Sequence, residues 1–253
     1  MMVNAQPILS ATGLTMEFRG FIAVKDVTLT VNEGTVHALI GPNGAGKTTV
    51  FNLLTKFLTP TRGRIEFRGT DITRLKPAEV ARLGLVRSFQ ISAVFPHLSV
   101  LDNVRVALQR PSRLATQFWR SSDVLSQLDD QAMALIAAVG LATYADLPAV
   151  ELSYGRKRAL EIATTLALDP TVLLLDEPMA GMGHEDIGRI SDLIRNIAKD
   201  RTVLMVEHNL NVVADLCDRV TVLARGEILA DGSYDVVSAD PRVREAYMGT
   251  EHE

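Results

Sequence analysis

The nine residues at positions 41–49 read GPNGAGKTT, and Gly41, Gly46, Lys47 and Thr48 fill the spacing of a phosphate-binding loop. The glycines let the backbone turn so that N–H groups along Gly41, Asn43, Gly44, Ala45, Gly46 and Thr49 face inward, and the positive end of the following helix converges on the same anion. Lys47 adds a point charge for the β- and γ-phosphates of a nucleotide, and the Thr48 hydroxyl is placed to hold Mg2+. Such a loop needs a carboxylate for the metal. The apolar run Val172 to Leu175 supplies one, ending in Asp176 and Glu177. Two adjacent acids at the exit of a buried strand are costly without cations nearby. Asp176 suits the metal shell, through water, and Glu177 suits a general base that orients and deprotonates an attacking water. The pair favours hydrolysis over nucleotide storage.

These residues need a sheet and a helix to position them. Short apolar or β-branched runs alternate with longer helical patterns, which is an α/β signature. Strands are expected at Ile8 to Phe18, Val27 to Val31 and Val36 to Ile40, with a turn at Asn32, Glu33 and Gly34, so the opening third reads as an antiparallel entry region. A helix is expected from Lys47 to about Phe57, with Val50, Leu53, Leu54 and Phe57 on one face and Pro60 as the stop. Further strands are expected at Arg64 to Phe67, Leu85 to Phe89, Val172 to Leu175, Val203 to Val206 and Val220 to Leu223. The last three are almost uniformly apolar, as in central parallel strands covered on both faces.

From Ile91 to Leu152 the strand signals stop, and Val100 to Leu108 and Val124 to Val139 read as helices. The expected organisation is one domain, 1–253, in which 1–90 and 159–253 form the α/β core and 91–158 an inserted helical subdomain. Phe118 and Trp119 fall between those helices beside Arg110, Arg113 and Arg120, as aromatics packed under a loop or as a partner surface.

Composition narrows the function. The 253 residues are 47% hydrophobic and 22% charged, as in a soluble globular protein, with enough chain to bury a core unaided. A formal net charge of -4 argues against a dedicated nucleic-acid binder. The single cysteine, Cys217, excludes an internal disulfide framework and reads as a small buried side chain. The first charged side chain is Glu17, and no apolar run approaches a bilayer's thickness, so the expectation is a cytoplasmic protein.

The segment LSYGRKR, Leu152 to Arg158, lies upstream of VLLLDEP and begins a helix. With the phosphate loop and the paired acids, this order resembles the ATP-binding subunits of ABC transporters, whose signature most often reads LSGGQ. The resemblance covers nearly the whole chain. It implies a phosphate-loop cassette with a RecA-like core, an antiparallel β subdomain and the inserted helical subdomain. It also gives Gln90, in SFQ, the glutamine-loop role beside the metal, and His208, in VEHN, the switch-histidine role. The signature would act in trans: Ser153 as N-cap and Gly155 as a point of close backbone approach present their helix to the γ-phosphate held by the opposite subunit. The adenine would stack on Phe18, with Phe21 possible.

Within that family the chain is most similar to the ATPases of branched-chain amino acid importers and their relatives carrying urea, amides or aromatic acids. The likeness lies in Tyr154 at the signature's second glycine, the run RALEIAT, the loop 109–123 and the ending AYMG, Ala246 to Gly249. Three departures stand out: Arg156 replaces the signature's glutamine, placing a charge near the trans phosphate or a side chain in solvent, Gly183 stands where Asp or Asn is usual, and the adenine-stacking position, usually Tyr, falls to Phe18. The function implied is an energy-coupling ATPase using ATP and Mg2+, peripheral on the inner face of the membrane. Its partners would be integral membrane permease subunits, a second ATP-binding subunit (a copy or a paralogue) and, indirectly, a solute-binding protein. The permease would dock near Gln90 to Leu101, over Val94, Phe95 and Leu98. The alternatives are the ATPase of a lipopolysaccharide-type exporter and a soluble ABC ATPase.

Overall fold

A computed structural model describes residues 7–88, 94–110 and 127–248. The chain opens with a hairpin, β1 (Pro7–Phe18) and β2 (Phe21–Asn32), whose turn residues Arg19 and Gly20 both have positive φ. That geometry matches the right-handed twist of the flanking strands. After β3 (Val36–Ile40) come the phosphate loop and α1 (Lys47–Leu54), then β4 (Arg62–Phe67) and β5 (Thr70–Asp71), which complete a four-stranded antiparallel sheet in the order β2-β1-β4-β5. α2 (Pro77–Arg82) leads into β6 (Leu85–Arg87). The helical block contains α3 (Val100–Gln109), α4 (Asp129–Ala138) and α5 (Tyr154–Leu166). The chain then runs through β7 (Val172–Asp176), α6 (His184–Ala198), β8 (Thr202–Val206), α7 (Leu210–Leu216), β9 (Arg219–Ala224), β10 (Glu227–Gly232), α8 (Tyr234–Ala239) and α9 (Pro241–Met248).

The second sheet has six strands in the order β10-β9-β3-β8-β7-β6, parallel except for β10. Alternation along its strands separates two cores. Ala38, Leu173, Leu175 and Met205 point into one cluster with α3 to α7, whereas Leu39, Leu174, Leu204 and Val206 point into another under α1 and the antiparallel sheet. β7, β8 and β9 are therefore buried on both faces, as their apolar runs predict, and so is β3 between β8 and β9. Among the described residues no helix is long and apolar enough to cross a membrane.

Several boundaries differ from expectation. α1 ends at Leu54, not Phe57, because the Thr55 hydroxyl donates back to the Phe51 carbonyl (2.7 Å) and Lys56 turns left-handed at φ 64°. Phe57 thereby leaves the buried face and is 51% exposed. β2 begins six residues before Val27, since β1 extends its pairing to Phe21 across the hairpin. α4 begins at Asp129, and residues 111–126 lie outside the described residues, together with Arg113, Phe118, Trp119 and Arg120. The boundary expected at 158 falls inside α5, which packs on α3 and α4 of the helical block and on α6 of the core.

Candidate active site

The C-terminal ends of β3, β8 and β7 are neighbours, and each carries site residues into the crevice beyond the sheet, where open α/β folds place ligands. The phosphate loop joins β3 to α1. Gly41 has φ 151°, and a Cβ there would lie 2.1 Å from the Leu223 carbonyl oxygen; one at Gly46, at φ 101°, would lie 2.8 Å from the Ala23 carbonyl oxygen. Only glycine satisfies both the conformation and the close approach. The loop is also clasped by the β9–β10 turn, whose Gly226 N–H donates to the Ala45 carbonyl (3.0 Å).

Lys47 folds over this loop, its Nζ donating to the carbonyls of Gly41 (2.6 Å) and Pro42 (3.0 Å). Burial lowers its pKa, opposed by the charges of Glu177 and Asp176, so the ammonium senses both acids. Thr48 is exposed in the first turn of α1, as are Asn43 and Gly44 in the loop. Asp176 is the last residue of β7, in register with Val206 of β8. Glu177 takes a left-handed conformation at φ 46°, pinned by its own N–H donating to the Val206 carbonyl (3.0 Å). Such backbone is strained for a side-chain-bearing residue and persists where the surroundings fix it.

His208 lies just past β8, exposed, with Nδ1 4.0 Å from Glu177 Oε1. Its predecessor Glu207 has no accessible surface and accepts three backbone N–H bonds, from Met179 (3.0 Å), His208 (3.1 Å) and Asn209 (3.3 Å). One buried carboxylate thus ties the loop after Glu177 to the turn bearing His208. Asn209, not His208, caps α7. The sequence reading passed over Glu207; the signal available was an ionisable residue directly after four apolar ones.

Two arginines were also missed. Arg87 on β6 pairs with Asp176 and donates to Asn52 Oδ1 (2.6 Å). Arg158 donates to the Asp176 carbonyl (2.9 Å) and forms a buried ion pair with Glu161 (2.7 Å), whose carboxyl burial pushes up while Arg158 opposes the shift. RALEIAT, seen in the sequence only as a likeness, therefore holds a charged pair beneath the site. Cys217 is mostly buried, and burial, with Asp218 and Glu207 nearby, pushes its thiol up to about 12.

Ser153 occupies the N-cap position of α5 but makes no side-chain capping bond, a departure from the cap expected of it, and its side chain is exposed. Gly155 is buried against α6: a Cβ there would lie 2.4 Å from Asp186 Cγ, so the close approach it permits is an intramolecular one. Arg156 is stacked 4.2 Å over the Tyr144 ring, lining a cavity of about 540 Å3 between α4, α5 and α6, rather than turned wholly to solvent. Gly183 is the N-cap of α6 and offers no side-chain oxygen to it. Phe18 and Phe21 face one another across the hairpin, 41% and 70% exposed, next to the β2 residues that touch Gly46. Gln90 lies outside the described residues.

Among the described residues no three His, Cys, Asp or Glu side chains gather as a metal cage. A Mg2+ held by one or two protein oxygens and by phosphates needs none. The glycine cradle, the lysine held over it and the strand-end carboxylates beside them fit a metal–nucleotide complex.

Known proteins resemble this chain over nearly its whole length. Residues 24–180 match the family model described as ABC transporter, and residues 227–253 match that described as branched-chain amino acid ATP-binding cassette transporter. The chain is 37% identical to the high-affinity branched-chain amino acid transport ATP-binding protein LivG of Salmonella typhimurium, over 97% of this chain and 99% of the relative. It is 38% identical to the corresponding protein BraF of Pseudomonas aeruginosa, with the same coverage. Among solved structures, the ADP conformation of an ATP-binding cassette of an ABC transporter superposes with a TM-score of 0.85 at 30% identity, covering 96% of this chain and 99% of that one.

Proposed function

Because this chain belongs to the ABC transporter family and is one of its ATP-hydrolysing, ATP-binding subunits, we propose that it energises the import of branched-chain amino acids or closely related solutes. The names of its relatives and the match at the C-terminal segment support the solute class, and they do not favour an exporter or a soluble ABC ATPase. The carrying observation is the convergence of phosphate loop, Asp176, Glu177 and His208 at three adjacent strand ends.

In this reading Lys47 exchanges its loop carbonyls for the β- and γ-phosphates, and the loop N–H groups hold their oxygens. Thr48, Asp176 and Gln90 would hold Mg2+, which when bound neutralises phosphate charge. Glu177 orients the attacking water and takes its proton, while His208 donates a hydrogen bond to the charge developing at the γ-phosphate. Phe18 or Phe21 stacks on the adenine. Ser153 and Gly155 complete the site on a second subunit, so binding closes a dimer and hydrolysis reopens it. The permease subunits dock where Phe95 and Leu98 are 52% and 38% exposed, which holds the protein at the membrane's inner face.

The test is a pair of variants. Lys47→Ala is expected to abolish ATP binding and turnover together, whereas Glu177→Gln keeps binding and accumulates an ATP-bound dimer, measured by light scattering with and without Mg-ATP. A Glu177→Gln chain that turns over normally as a monomer would overturn the mechanism.

A further inference from the structure

Arg87 belongs to none of the motifs that define the site, yet from β6 it touches two of the elements that build it, β7 and α1. From β6 its Nη2 pairs with Asp176 Oδ2 at the end of β7, and its Nη1 donates to Asn52 Oδ1 on α1 (2.6 Å). The guanidinium lies 5.8 Å from the centre of the Phe51 ring, on the same helix. The side chains of Arg87 and Asp176 are only 14% and 13% exposed, so the pair is shielded from solvent screening. Parallel pairing of Arg87 with Leu174, continued by the Ser88 N–H donating to the Leu174 carbonyl (2.9 Å), fixes the arginine's base beside β7. Three residues further on stands Gln90.

We propose that Arg87 is a resident counter-charge that holds Asp176 by one oxygen until the metal–nucleotide complex arrives, and that it sets how tightly that complex's metal is gathered. The inference rests on the reading of Asp176 as a metal-shell residue. Asp176, 13% exposed at the end of a buried strand, carries a carboxylate that is unfavourable there without a cation beside it. Arg87 offsets that cost by holding Oδ2, and Oδ1 is the oxygen that would go to the metal or its water. A guanidinium and a doubly charged ion gathered on one shielded carboxylate also repel each other, more strongly than they would in water. The arginine therefore opposes metal binding while it stabilises the free site. Its anchor on Asn52 and its place on β6 make that opposition depend on the strand that leads to Gln90, so a shift of β6 would alter metal affinity without any change in the phosphate loop.

The experiment is the affinity of the full chain for a non-hydrolysable ATP analogue, measured by calorimetry in EDTA and in excess Mg2+ for parent, Arg87→Met, Arg87→Gln, Arg87→Lys and Asp176→Asn. The quantity read is the ratio of the two affinities, in which the analogue's own metal binding cancels between variants. Both neutral substitutions should raise this ratio at least fivefold, and Arg87→Lys should stay within about twofold of the parent. A ratio unchanged or lowered in the neutral variants, with only the melting temperature reduced, would make Arg87 a structural clasp or an orienting group and overturn the proposal. An equal rise in Arg87→Lys would overturn it too, since charge is then not the cause. Asp176→Asn is the separate control: a ratio equal to the parent's would remove Asp176 from the metal shell, whatever the Arg87 variants do. A ratio lowered in Asp176→Asn but unmoved in the neutral Arg87 variants sinks the Arg87 inference alone.

Discussion

The imidazole of His208 is 60% exposed and 4.0 Å from Glu177, while the carboxylate one residue earlier is sealed and holds three backbone N–H groups. These neighbours should fail in opposite ways. In the proposed mechanism His208→Ala removes a transition-state donor, and it is expected to cost about 100-fold to 1000-fold in turnover, with melting temperature and ATP affinity nearly unchanged. Glu207→Ala leaves buried donors unmet and should cost about 3 kcal/mol or more in urea unfolding, with turnover falling because both loops lose their common tie. A His208→Ala chain at the parent rate would remove the histidine from the site. A Glu207→Ala chain as stable as its parent would show that the loops are held otherwise. Glycines and the lysine were legible because a phosphate loop is specified by local spacing. Glu207, Arg87 and Arg158 were not, since Met179, which Glu207 holds, and Asp176, which both arginines reach, come near them only once separate elements have packed together.

Elements built from almost uniformly apolar runs, β7, β8 and β9, were readable because burial on both faces leaves no polar alternation to interpret. β10 was missed: its burial is mixed and it pairs antiparallel at the sheet's edge, where the pattern resembles a loop. One polar residue interrupts β3. His37 is fully buried, its Nε2 2.8 Å from Thr221 Oγ1 on β9, with Arg219 and Asp231 beyond it. Burial is the main cause that lowers its pKa to about 4; Arg219 adds to the shift and Asp231 opposes it. The unfolded chain, with an ordinary histidine near 6.5, therefore takes up the proton first. Stability from this residue is complete above about pH 6.5 and is lost as pH falls toward 4, by about 3 kcal/mol in total. Between pH 7.5 and 5 the loss should be about 2 kcal/mol, and His37→Leu should show a correspondingly shallower acid dependence in urea unfolding. Equal slopes for parent and variant would mean that His37 takes up its proton as readily in the fold as in the unfolded chain.

Across the whole molecule, the exposed Ser153 sits at the start of a helix braced on α6, on the surface that the dimer reading assigns to a neighbour's nucleotide. Ser153→Arg should leave ATP binding to the isolated chain intact and block turnover, because the arginine would intrude only on the site completed by another subunit. Loss of binding in the isolated chain would place Ser153 in cis. The order of the six strands has a further consequence, for biosynthesis. β3 pairs with β8 and β9, Val36 with Val203 and His37 with Arg219, so the strand bearing the phosphate loop has neither neighbour until residues beyond Thr202 have left the ribosome. Long-range parallel pairing of this kind is slow and leaves apolar edges open meanwhile. The nascent chain must shelter β3 under α1 and the antiparallel sheet, which are both made early, so the face of β3 that carries Leu39 can be covered during synthesis while the face that carries Ala38 waits for the helices.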